Sequence, residues 1–101
     1  MNDKEALKEI KNILQVSGEE FDATIMPMML GVKGYMSAAG VVDELIYSKS
    51  GIAALAVGTN DLWNLSSGDA KFSSIFLGMV KQLQLCSLFY AGGDEDVPPE
   101  N

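Results

Sequence analysis

The sequence predicts an all-α fold, a small bundle of about four helices with short loops and a flexible acidic C-terminal tail. Apolar residues make up 48% of the 101-residue chain, and many are Leu, Ile, Met and Ala, which favour helices over strands. These residues recur at spacings of three and four, whereas no period-two alternation lasts more than a few positions. Glycine and serine clusters divide the chain into segments of helical length. The length argues for one domain, residues 1–91, followed by the tail, residues 92–101. A globule of this size buries roughly two thirds of its unfolded surface, enough for one core without metal or disulfide.

The first helix is expected over residues 3–15, capped by Asp3, with Leu7, Ile10 and Leu14 on one face and Ile13 alongside. Ser17 and Gly18 end it. Ser17 and Glu20 then have the spacing of a capping box. The next stripe is Phe21, Ile25, Met28 or Met29, Val32, and Tyr35 or Met36, ending at Gly40. Pro27 would break a hydrogen bond in a helix begun at Gly18 but falls in the first turn of one capped by Thr24. A start near Thr24 is therefore the reading adopted. Residues 41–47 form a short segment of one or two turns, closed by Ser48-Lys49-Ser50-Gly51. A further helix spans residues 52–64 with Ile52, Leu55, Ala56, Leu62 and Trp63 in register, and Gly58 lets another helix come close. Residues 65–69 are a loop. The last helix covers residues 70–89, its stripe being Phe72, Ile75 or Phe76, Met79, Val80 and Leu83, and Gly92-Gly93 stop it. The acidic, proline-bearing remainder is expected to be disordered in isolation.

Net charge is −7, with seven lysines scattered among fourteen acids, which disfavours nucleic-acid binding and attachment to anionic membranes. Lys81, Gln82 and Gln84 interrupt the most hydrophobic stretch, so no membrane span is expected. Nor does an apolar leader follow Met1, and the expectation is a soluble intracellular protein. Cys86 cannot form an internal disulfide; beside Leu85 and Leu88 it reads as a small buried hydrophobe, with an intersubunit or reactive thiol as the other reading. The absence of histidine excludes Ser–His and Cys–His nucleophiles and the usual zinc sites. No phosphate-cradling or dinucleotide loop is present. Glu19, Glu20, Asp22, Asp43 and Glu44 read as helix-start carboxylates, and Asp94 to Asp96 lack calcium-loop spacing. No enzyme activity, catalytic residue, cofactor or metal is expected. Met26, Met28, Met29 and Met36 read as core before binding groove. Interface candidates are the aromatics Trp63, Phe89 and Tyr90 and the tail acids Asp94, Glu95 and Asp96.

The run Leu7-Lys8-Glu9-Ile10-Lys11-Asn12-Ile13-Leu14-Gln15-Val16, the acidic turn Gly18-Glu19-Glu20-Phe21-Asp22 and the stripe Ile25, Met29, Val32, Tyr35, Met36 up to Gly40 follow one another. This order resembles the tailed-phage head–tail connector (adaptor) family. Asn60-Asp61-Leu62-Trp63-Asn64, Phe72-Ser73-Ser74-Ile75-Phe76 and Gln82-Leu83 are similar to its Firmicute phage and prophage branch. Pro27 departs from the family's continuous long helix. The resemblance implies a virion structural protein at the head–tail junction, assembled in the host bacterial cytoplasm. It would form a dodecameric homo-oligomer ring beneath the portal protein, joined to a tail or stopper protein, with DNA passing through unread. Independently of the resemblance, a small helical regulatory protein that binds one partner, of anti-repressor or DNA-mimic type, is the other class of function the composition allows. Its carboxylates would line one face, whereas here they gather near the ends.

Overall fold

The computed structural model describes residues 1–64 and 72–92, the last two through their backbone alone. Within these residues the chain forms α1 (Asp3–Leu14), α2 (Asp22–Ala38), α3 (Asp43–Ile46), α4 (Lys49–Trp63) and α5 (Ser74–Gly92), with no strand. The fold is a small all-α bundle. The predicted loop at 65–69, Ala70 and Lys71, and residues 93–101 of the predicted tail lie outside the described residues, whereas Gly92, read as the tail's first residue, ends α5 three residues beyond its predicted end at Phe89.

Capping chemistry moves several boundaries from where the sequence places them. At α1 the cap is Asn2 rather than Asp3: its side chain accepts the Glu5 amide at 2.8 Å, and Glu5 accepts the Asn2 amide at 2.9 Å. Two orphan amides are thereby satisfied, and the Asp3 carboxylate is left for a longer-range contact. The helix ends one residue early, at Leu14, with Gln15 as its cap in the left-handed conformation (φ 62°). The Ser17–Glu20 capping box does not form. Helix α2 begins at Asp22 behind Phe21, with no side-chain cap, so Pro27 lies inside the helix rather than in a first turn begun at Thr24. Gly40, at φ 101°, follows the end of α2 as expected, and the Val41 amide closes back on the Met36 carbonyl.

The sequence Ser48-Lys49-Ser50-Gly51 opens a helix where a terminator was expected. Ser48 Oγ accepts the Gly51 amide at 3.1 Å, and α4 runs from Lys49. Gly51 is required there because a Cβ would fall on the carbonyl oxygens of Leu45 and Ile46. Helix α4 is the centre of the bundle: it packs against the other four, with Ala54, Leu55, Ala56, Gly58 and Thr59 buried. A Cβ at Gly58 would lie 2.7 Å from both Phe76 and Val32, so this glycine admits α2 and α5 together. Helix α5 starts at Ser74, four residues later than predicted. Ser73 Oγ accepts the Phe76 amide, and the Asp61 carboxylate accepts both the Ser73 amide and hydroxyl at 2.9 Å. The inward side of α5 is Phe76, Val80, Leu83 and Ser87. Ile75 points outward. At its far end Ser87 Oγ accepts the Val42 amide, and Gln84 donates to the Ala39 carbonyl at 2.7 Å. One buried cluster joins all five helices, from Ala6, Leu7 and Ile10 to Val80 and Leu83.

Candidate interaction surface

A helix buried on one side is expected to be polar on the other. Helix α5 is not. Its outward side carries Ile75 and Leu88, each 68% exposed, and Leu85 and Phe89, each 57% exposed. Leu77 and Tyr90 flank them, also exposed. Between Ser74 and Gly92 the only charged residue is Lys81. Ile75, Gly78, Gln82, Leu85 and Phe89 alternate at spacings of three and four, which brings them into one lengthwise seam. Exposed apolar patches of more than a few hundred Å² are uncommon on isolated globular proteins and typical of contact surfaces. Among the described residues no helix is long and apolar enough to cross a membrane.

The charged groups elsewhere serve the fold. Asp3 on α1, Lys33 on α2 and Tyr47 after α3 form a triangle: the Tyr47 hydroxyl donates to Asp3 at 2.7 Å, and Lys33 donates to Asp3 at 3.0 Å and to Tyr47. The Tyr47 bond and then the Lys33 bond hold the Asp3 carboxyl below its ordinary range. Its bonds to Tyr47 and Asp3 push the Lys33 ammonium up. Burial chiefly raises the Tyr47 phenol. Lys11 donates to Asp22 at 2.6 Å and to the Gly18 carbonyl at 2.5 Å, pinning the turn between α1 and α2. An open cleft of about 810 Å³ lies beside that turn, with Lys4, Lys8 and Lys11 on its rim and Leu7 and Met26 beneath. Among the described residues no group of three acids or thiols converges on a point where a metal ion would sit.

The predicted interface residues do not form one patch. Trp63 is half-buried at the end of α4, edge-on to the Phe21 ring at 5.5 Å, and packs against the core. Phe89 and Tyr90 are exposed near the end of α5. The end of α4 meets the start of α5 through Asp61 and Ser73, which puts about 24 Å of helix between Trp63 and Phe89. Asp94, Glu95 and Asp96 lie outside the described residues. Cys86 is a correction: it is exposed, because its neighbours Leu85 and Leu88 are themselves outward-facing and the inward position is Ser87. Met29 and Met36 are core, as read, while Met26 and Met28 are only half-buried. The sequence offers Ile75 only as an alternative to Phe76 in the core, and Leu85 and Leu88 only as neighbours of Cys86, not as interface residues. The signal was there, since α5 holds more large apolar residues than one buried stripe can use. Comparison with protein-family models, curated proteins and solved structures finds no match for this chain.

Proposed function

We propose that this chain is a non-catalytic structural subunit, and that its assembly is the head–tail junction of a tailed phage or prophage. The observation that carries the subunit reading is the unpartnered apolar face of α5, with four large side chains more than half exposed on a helix bearing one charge. Water penalises such a face, and covering it is worth roughly 25 cal/mol per Å². The finer identity rests on the resemblance of the first two helices and of the Asn60 to Leu83 segments to connector adaptors. In that reading copies form a dodecameric ring between the portal and a tail or stopper protein. A net charge of −7 suits a wall past which DNA slides, since an acidic surface repels the phosphate backbone.

The test is electron microscopy of particles from a phage lacking this gene. DNA-filled or leaking heads beside separate, finished tails are the expected outcome. Normal tailed virions would overturn the connector role and leave the one-partner regulatory protein in its place.

A further inference from the structure

The α5 seam has a feature that a random greasy surface lacks. A glycine inside a helix costs about 1 kcal/mol relative to alanine. Gly51 and Gly58 are explained within the fold, because neighbouring atoms occupy the space of a Cβ. At Gly78 nothing lies within 4 Å of that position. Gly31 and Gly34 on α2 are equally open, but only Gly78 sits in the Ile75–Phe89 seam, where it makes a notch between Ile75 and Gln82.

We propose that α5 packs antiparallel on α5 of a second copy of this chain, about a two-fold axis crossing the helix between Leu83 and Gln84. In a seam of three-and-four spacing, antiparallel layers pair the two kinds of seam position with each other. The layers are then Gly78 against Phe89 of the other copy, Gln82 against Leu85, and Ile75 against Gly92. The ring of Phe89 enters the notch at Gly78, and the bulk of Ile75 meets a second glycine. Lys81 falls beside Leu88 and keeps its ammonium in water. A parallel pairing lacks this complementarity: it sets Gly78 against Gly78, leaving a void, and Phe89 against Phe89.

The exposed parts of Ile75, Leu85, Leu88 and Phe89 amount to on the order of 500 Å² per copy, to which Lys81, Gln82 and Leu77 add at the margins. A standard stable interface covers about 800 Å² per partner, so this contact is at the small end and is to be sought at micromolar and higher concentrations. A two-fold contact closes at two copies and does not by itself generate a ring. The dimer draws on the same α5 face as the subunit reading but not on the connector identity, so normal virions in the particle experiment would overturn the connector and leave the dimer to be decided by solution mass.

Sedimentation equilibrium of the full chain between about 1 and 200 µM reads it directly. The wild type is expected to pass from monomer to dimer, and a short bismaleimide to link two copies through Cys86. Phe89→Asp, at an exposed site, is expected to weaken association at least tenfold with an unchanged helical circular-dichroism spectrum. Gly78→Leu is the sharper variant. It adds apolar surface, yet by filling the notch it is expected to weaken the dimer as well. A wild type that stays monomeric throughout, a dimer indifferent to Phe89→Asp, or one tightened by Gly78→Leu would each overturn the proposal.

Discussion

At Gly51, Gly58 and Gly34 the same substitution, glycine to alanine in a helix, meets three different surroundings. Alanine at Gly51 drives a methyl into the backbone carbonyls of Leu45 and Ile46, which cannot move without opening the α3–α4 corner. We expect a loss of about 3 kcal/mol or more. At Gly58 the methyl meets the rings and methyls of Phe76 and Val32, so strain outweighs the helix propensity gained, for a net loss of about 1–2 kcal/mol. Gly34 faces open space, and alanine there is expected to stabilise by about 0.5–1 kcal/mol. Urea-denaturation midpoints check the order of all three. Thr59 is fully buried, with no partner for its hydroxyl among the described residues. Thr59→Val keeps the shape and removes an unpaired polar group, so its midpoint is expected to rise, by about 1 kcal/mol. Asp3 sets a pH dependence. Its folded carboxyl titrates below the ordinary 3.8, so on acidification the unfolded chain takes up this proton first. The stabilisation is complete above that value and disappears as pH falls through the folded one. The midpoint difference between wild type and Asp3→Asn should therefore be constant near neutrality and shrink below about pH 4; a difference that grows with acid would contradict the triangle.

Pro27 is the element-scale anomaly. Six residues into α2, it cannot donate to the Ala23 carbonyl, and an interior proline costs a helix about 3 kcal/mol. Its side chain is exposed and contributes little packing. Pro27→Ala restores the donor and is expected to raise stability by about 1–2 kcal/mol, part of the gain being offset by a freer unfolded chain. A lower thermal midpoint would mean that the proline fits a bend the helix needs. The sequence misplaces the start of this helix because a proline is most cheaply housed in a first turn, and only tertiary burial of Ile25 and Met29 overrides that preference. The same limit explains α4. Ser-Lys-Ser-Gly looks like a stop, yet Ser48 is a cap and Gly51 a close-contact residue, a distinction that depends on where α3 runs. By contrast the stripes of α1 and α2 and the terminal Gly40 are legible because each is a local pattern. Helix α5 is legible as a helix but not in its orientation: with apolar residues all round, Ile75 and Phe76 are equal candidates for the core. Only the Phe76 ring filling the space left by Gly58 decides between them.

Across the whole molecule the helices are not equally held. Helix α4 is enclosed by the other four, whereas α5 rests chiefly on α4 and reaches α2 and the α2–α3 turn through a few contacts: the Tyr35–Phe76 rings, Gln84 to the Ala39 carbonyl and Ser87 to the Val42 amide. An element with one main neighbour and an exposed apolar side is the one that detaches first, in a partial unfolding that leaves α1, α2 and α4 together. Hydrogen exchange should therefore find α4 amides opening only with the whole fold. Those of α5 should exchange by a cheaper route, several-fold to a hundredfold faster. Detachment of α5 also exposes Phe76 and Val80, so it cannot be free of cost, and its amides should remain slower than those of α3, a single turn. Raising the protein concentration separates intrinsic weakness from a missing neighbour. If a second copy covers the seam, α5 protection climbs with concentration while α4 protection changes only as far as the dimer stabilises the whole fold. Equal protection of α4 and α5 at low concentration would show instead that the few contacts to α2 and the α2–α3 turn already bind α5 into the global unit.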